Sequence, residues 1–201
     1  MRKVNFTEDE IILKEVKGDL EFQNDPSYYP KELIESLLKI DFVYSIKKLY
    51  PNSKQWLEKV AKEIKNNDGP HRLFILKNSK TSALYGFFVI KDDGSKMKKI
   101  CTIFVFNSYR NVGLGKVLLK NAVEVLNPQK DDIIYFTLAE GKLRRLMYFF
   151  MDNGFCYWER KRNFYKRDSL RNKINKKVSV NPHLSDEHIF IYKNTTIPTY
   201  Q

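Results

Sequence analysis

The stretch Cys101-Thr-Ile-Phe-Val-Phe-Asn-Ser-Tyr-Arg-Asn-Val-Gly-Leu-Gly-Lys116 holds the residues whose spacing speaks most directly of chemistry. An apolar, strand-like run passes into Arg110-x-x-Gly113-x-Gly115, and helical spacing begins at once with Leu114, Val117, Leu118, Ala122 and Val125. Glycines let the backbone turn tightly without a Cβ in the way. Successive amide N–H groups can then converge on one anion, and the dipole of the following helix adds to their pull. That combination suits a pyrophosphate. A phosphate-binding P-loop needs GxxxxGK followed by Ser or Thr, but Gly115-Lys116 is followed by Val117 and residue 110 is not glycine. A dinucleotide fold needs GxGxxG inside a parallel βαβ unit, whereas this turn follows hairpin-connected strands. A pair of glycines that merely shapes a strand-to-helix turn is the remaining alternative.

The elements that must position this turn can be read along the chain. Ile11 to Phe22 allows one strand before Asp25, Pro26 and Pro30. A helical part over about 28–67 follows, carried by Leu33, Ile34, Leu37, Leu38, then Phe42, Ile46, Leu49, then Trp56, Leu57, Val60, Ala61 and Ile64 after a capping Ser53. Asn67-Asp68-Gly69-Pro70 ends it. Three strands come next, Arg72 to Lys77, Leu84 to Lys91 and Lys99 to Phe106, the last two joined by the turn Asp92-Asp93-Gly94-Ser95. The helix from Gly113 to Leu126 stops before Pro128, and Ile133 to Leu138 is the continuous apolar run of a buried strand. Lys142 to Asn153 is helical and is stopped by Gly154. Phe155 to Tyr165 and Glu187 to Lys193 read as the last two strands.

At 201 residues the chain is expected to form a single domain, 1–201. It has no apolar run of the length that spans a bilayer, and MRKVNFTEDE lacks the apolar core of a secretion signal, so no membrane association is expected. Cys101 and Cys156 stand in no metal-ligand spacing, so neither a zinc site nor a disulfide framework is expected, and a cytoplasmic location is the default. Net charge is +12. Nine basic residues against Asp168 between Arg160 and Lys177 concentrate +8 of it in a segment, about 160–183, that lies before the last strand. Such a block attracts polyanions, although a solvated lysine-rich loop has the same composition.

The run Val105 to Gly115 resembles the signature of the GCN5-related N-acetyltransferases, Arg/Gln-x-x-Gly-x-Gly/Ala, at Arg110, Gly113 and Gly115. Tyr148-Phe-Phe-Met-Asp-Asn-Gly154-Phe155 resembles the aromatic-x-x-x-Gly-Phe ending of that family's fourth helix, and the order of elements fits from about Arg72 to Lys193. The resemblance implies an α+β fold: a mixed, mostly antiparallel sheet flanked by helices and splayed between the strand ending near Phe106 and that of Ile133 to Leu138. It implies acetyl-CoA as cosubstrate. The pantetheine arm would pair with the backbone of Phe104, Val105 and Phe106. Arg110, Asn111, Val112, Gly113, Leu114 and Gly115 would give amides to the pyrophosphate, with Lys116 as countercharge. A neutral amine would attack the thioester, with a backbone amide near Phe106 holding the oxyanion and an acid protonating the thiolate.

The acid departs from the family pattern. Its usual tyrosine, four residues before the glycine of Gly-Phe, is here Phe150, which has no proton to give. Tyr148, about 200° round a helix from Phe150, Tyr157, and water are the alternatives. For the base, Glu140 at the end of the central strand is best placed, with His188 and Glu187 on the last strand following. The acceptor amine is expected on nucleic acid or aminoacyl-tRNA, because Arg160, Lys161, Arg162, Lys166 and Arg167 are interleaved with Trp158, Phe164 and Tyr165, cations for phosphates and rings for bases. Protein lysine or N-terminal acetylation, and a non-catalytic module binding acyl-CoA or nucleic acid, are the alternatives.

Overall fold

The computed structural model describes residues 11–16, 53–81, 83–162 and 186–192. Seven strands form one sheet in the order β1-β2-β3-β4-β5-β7-β6. In chain order the elements are β1 (Ile11–Val16), α1 (Ser53–Asn66), β2 (His71–Asn78), β3 (Leu84–Lys91), β4 (Met97–Val105), a 3-10 turn (Asn107–Tyr109), α2 (Leu114–Leu126), β5 (Ile133–Ala139), α3 (Glu140–Met151), β6 (Phe155–Lys161) and β7 (Glu187–Tyr192). Every neighbouring pair is antiparallel except β4 and β5, which run parallel and are joined through α2. The mixed α+β sheet thus has the expected order. The helices expected before Ser53, the continuation of β1 beyond Val16 and the basic segment beyond Arg162 lie outside the described residues.

Helices cover both faces, so the central strands read as unbroken apolar runs. The period of two divides them. Leu73, Ile75, Phe87, Val89 and Phe104 face α1 through Leu57, Val60 and Ile64. Phe74, Leu76, Phe88, Ile90, Ile134, Phe136 and Phe190 face the layer of α2 and α3. Phe74 and Phe88, opposite each other in register, stack at 4.9 Å. On the first face, His71 Nδ1 meets Glu63 Oε2 at 2.6 Å and ties α1 to β2.

Gly86 sets how closely α2 can approach. A Cβ there would lie 2.4 Å from the Phe104 carbonyl oxygen and 2.9 Å from Leu118 Cδ1, so a side chain would wedge β3 away from both. The α2 C-terminus is held by Lys98, whose Nζ donates to Leu126 O at 3.0 Å and pairs with Asp132 at 3.0 Å. One nearly buried ammonium thereby joins β4, the end of α2 and the start of β5.

Candidate active site between strands β4 and β5

The parallel ladder runs from Met97↔Ile133 to Ile100↔Phe136 and ends there, although β4 continues to Val105 and β5 to Ala139. The cause lies on the other side of β4. Opposite β3 the register passes from Val89↔Thr102 to Ile90↔Ile100, leaving Cys101 as an extra residue. Such a bulge bends its strand and increases its twist, and the two C-terminal ends part from the next residue on. The expected splay is therefore present, and its floor is Ile100 against Phe136.

Backbone direction decides what the splay offers. Phe106 N–H donates to Tyr85 O at 3.0 Å, so Phe106 bonds towards β3. By the alternation of an antiparallel ladder Phe104 does the same, while Ile103 and Val105 turn their N–H and C=O groups towards the gap. The strand edge expected over Phe104 to Phe106 thus belongs to Val105 with Ile103, and the Phe106 amide is already committed. The rings of Phe104 and Phe106 pack edge-to-face at 5.4 Å on the α1 side.

Beyond β4 the chain turns through Asn107–Tyr109 into α2. Asn111 (φ 64°) and Gly113 (φ 89°) are left-handed. Lys116 and Val117 both donate to Gly113 O, at 2.9 and 3.3 Å. The N–H groups from Asn111 to Gly115 have no acceptor among the described residues, as helix geometry dictates for the first turn. A Cβ on Gly113 would meet no atom within 4 Å, so this glycine serves the left-handed turn and faces open space. Gly115 lies beside α3, where a Cβ would sit 3.5 Å from Phe149 Cζ. Arg110 braces the turn: its Nε donates to Val105 O at 3.0 Å and its guanidinium lies 5.4 Å from the Phe104 ring centre. Lys116 is exposed. A strand edge whose Ile103 groups and Val105 N–H have no partner in β5, leading into unpaired helix-entry amides, fits an extended arm that ends in a pyrophosphate.

Three of the residues expected to move protons, Glu140, His188 and Tyr157, come together beside the end of β5. Glu140, the first residue of α3, follows β5 directly and donates its N–H to Asp186 O at 3.1 Å. His188 Nε2 is hydrogen-bonded to Glu140 Oε2, and His188 Nδ1 lies 3.4 Å from the Tyr157 hydroxyl. The His188 side chain is 4% exposed, that of Glu140 31%. Arg160 grips Asp186 Oδ2 through Nε at 2.8 Å and Nη2 at 2.6 Å, and Nη2 stands 3.9 Å from Glu140. That hydrogen bond to Asp186 raises the Arg160 pKa. A second bulge makes the grouping: Tyr157 pairs with Phe190 and Glu159 with Ile189, leaving out Trp158. Without it, Tyr157 and Arg160 would point to opposite faces of β6.

The comparisons follow from this geometry. The family model of the acetyltransferase (GNAT) family matches residues 33–155. The chain belongs to that family. No curated protein sequence matches it. Among solved structures, a GNAT family acetyltransferase from Elizabethkingia anophelis with acetyl-CoA bound is 15% identical, with a TM-score of 0.56 over 92% of this chain and 98% of that one. An IAA acetyltransferase from Bacillus cereus gives 14%, 0.57, 90% and 98%. A GNAT family acetyltransferase from Staphylococcus aureus gives 22%, 0.54, 90% and 98%. These likenesses are of fold. Membership makes the chain an acyltransferase, with acetyl-CoA as cosubstrate.

Within this GNAT domain, Tyr148 stands apart from the other three residues. It lies on α3 with 66% of its surface exposed and makes none of the contacts of the Glu140 group. Tyr157 is two strands from β5, at about 4.8 Å per strand roughly 10 Å, with β7 between them. Its hydroxyl therefore serves the His188 side rather than the gap. Phe150 is buried, stacked on Phe136 at 3.7 Å and edge-on to Phe155 at 6.0 Å. Asp186 is the residue that sequence reasoning missed; Asp186-Glu187-His188 ahead of an apolar strand was its only signal. Arg160, expected to meet phosphates, is engaged with Asp186, whereas Lys161 and Arg162 are exposed. Lys166 and Arg167 lie outside the described residues. Among the described residues no cluster of potential metal ligands occurs and no helix is long and apolar enough to cross a membrane.

Proposed function

We propose that the chain is an N-acetyltransferase that moves the acetyl group of acetyl-CoA to an amine at the rim of the β4–β5 gap. The observation that carries this is the ending of the parallel ladder at Ile100↔Phe136, directly below a strand edge that β5 leaves uncovered and that runs into the open amides of Asn111 to Gly115. Acetyl-CoA supplies an activated acyl carbon with a thiolate as leaving group. Ile103 and Val105 offer the edge for the pantetheine arm. The amides of Asn111, Val112, Gly113, Leu114 and Gly115, with the α2 dipole and Lys116, hold the pyrophosphate. Since Phe106 N–H is donated to Tyr85, the available donor for charge developing on the carbonyl oxygen is Val105 N–H. The proton lost by the amine goes to Glu140, whose carboxylate His188 holds. With Phe150 buried against Phe136, Tyr148 facing away and Tyr157 beyond β7, water protonates the thiolate.

The acceptor reading rests on charge. The chain from Lys161 to Lys177 carries eight basic residues against Asp168, a net of +7 that begins with the exposed Lys161 and Arg162, so an amine borne by a polyanion such as nucleic acid or aminoacyl-tRNA is favoured over a polycation. The site belongs to one domain spanning 1–201, and two free thiols suit a cytoplasmic location. The experiment is a thiol-release assay with acetyl-CoA and amines of three kinds: charged tRNA, lysine peptides and polyamines. Amine-dependent release supports the reading, and the preferred class identifies the acceptor. Tight cofactor binding with no release from any amine would reduce the protein to an acyl-CoA-binding module.

A further inference from the structure

Both ring nitrogens of His188 are occupied, one by Glu140 and the other by Tyr157, and its side chain is 4% exposed. A base needs a free lone pair that a substrate proton can reach. His188 has none to offer. Glu140 keeps Oε1 unengaged among the described contacts and is 31% exposed at the end of β5. We infer that Glu140 alone is the base for the acceptor amine, and that Tyr157 and His188 are positioning residues that aim its carboxylate. The assignment rests on the acetyl-transfer reading above.

For a neutral imidazole the chain of hydrogen bonds has one polarity. An ionised carboxylate only accepts, so His188 Nε2 must carry the hydrogen that it shares with Glu140. A neutral imidazole then has its lone pair on Nδ1, and the Tyr157 hydroxyl is the donor that occupies it. Tyr157 thereby fixes the tautomer of His188, and the tautomer puts the donor on the nitrogen that faces Glu140 Oε2. The charged groups facing the imidazole complete the brace. From α3 there is Glu140, from β6 Tyr157 and Arg160, and from the start of β7 Asp186, which receives both nitrogens of the Arg160 fork. Asp186 also anchors Glu140 through its backbone carbonyl, so the base is fixed at main chain and side chain alike. The Trp158 bulge is the local feature that brings Tyr157 and Arg160 to one face.

The test uses the full chain and two readouts. The first is the ¹⁵N spectrum of the imidazole at neutral pH, feasible because the chain has three histidines. Wild-type His188 should be the Nε2–H tautomer, and Tyr157→Phe should give a mixture of the two; an Nδ1–H tautomer in the wild type overturns the inference. The second is acetyl transfer from saturating acetyl-CoA to the amine identified by thiol release. Tyr157→Phe should lower kcat about tenfold with KM for acetyl-CoA unchanged, and His188→Ala about a hundredfold. His188→Gln, whose amide places a donor near the Nε2 position, should recover most of that loss. In the His188→Gln background Tyr157→Phe should have no further effect. A tenfold loss there instead would mean that Tyr157 acts by some other route, and the inference falls. If no amine is acetylated the function fails, and with it the base role of Glu140, while the tautomer result still decides whether Tyr157 sets the His188–Glu140 hydrogen bond.

Discussion

Ile100 faces Phe136 across the one parallel ladder among the described strands, and no residue of β4 beyond Ile100 pairs with β5. The strands are held firmly below that point and released above it. Lys98, paired in register with Ile134, lies just beneath and binds Leu126 O and Asp132 together. The gap is therefore a local departure from a well-fastened pair, made by one extra residue at Cys101.

The fastening responds to acid. A hydrogen bond from the Gln129 amide, followed by the bond and charge of Lys98, lowers the Asp132 pKa. A carboxyl with a folded pKa below its unfolded value stabilises the fold above the unfolded value, about pH 4, and loses that contribution as pH falls through the folded value. Asp132→Asn should lower the melting temperature at pH 7 and make it less sensitive to acid below about pH 4 than the wild type's. Thermal melts across pH 2.5–7 read this out; parallel curves for the two proteins would contradict it.

Glu140 and His188 act as one unit, so their losses should not add. Glu140→Gln should reduce kcat by about 10²–10⁴ and leave acetyl-CoA affinity within about twofold. Adding His188→Ala to Glu140→Gln should cost little more, since the imidazole then has no carboxylate to aim. Steady-state kinetics on the two single variants and the double variant give the answer, with multiplicative losses as the contrary result.

Gly86 is where a single methyl should do most harm to the packing above the site. Gly86→Ala places a carbon against the Phe104 carbonyl, a backbone atom, and against Leu118. Overpacking of this kind costs about 1–3 kcal/mol. Urea unfolding should show the loss, and a midpoint equal to that of the wild type would show that the strands separate more easily than their register suggests.

Cys101 should be a poor nucleophile although it stands at the bulge. Burial pushes its thiol up to about 11, only partly offset by Lys99 and Lys91. At pH 8 only about one thiol in a thousand is then ionised, and the thiolate is the reactive form. Iodoacetamide should modify Cys101 at least about tenfold more slowly than a free thiol, whose pKa is about 8.5. Peptide mapping after timed alkylation measures this, and modification at the free-thiol rate would contradict the burial.

The turn from Arg110 to Gly115 was legible in the sequence because its constraints are local: a left-handed glycine, a helix start and the strand that feeds it. The same holds for the order of the described strands and helices. Which backbone groups face the gap was not legible. It depends on the parity of β4 against β3, and parity is set by a bulge at Cys101 that no residue type in the hairpin announces, so Val105 and Ile103 take the place of Phe104 and Phe106. Glu140, Tyr157 and His188 each stood out as a residue type at a strand end, but their meeting depends on a bulge at Trp158 and on Asp186, 26 positions from Arg160. Long-range pairing of this sort leaves no period in a single sequence.

The most direct test of the central claim is calorimetric titration of acetyl-CoA into the wild type and into Gly113→Asp. The variant puts a carboxylate into the open space that faces the amides of the turn and forces a side chain onto φ 89°. The account predicts clear binding by the wild type and at least about a hundredfold weaker binding by the folded variant, a change of about 2.7 kcal/mol. Equal affinity in two folded proteins, or no binding by the wild type, would contradict it and leave the turn from Arg110 to Gly115 as a shape without a ligand.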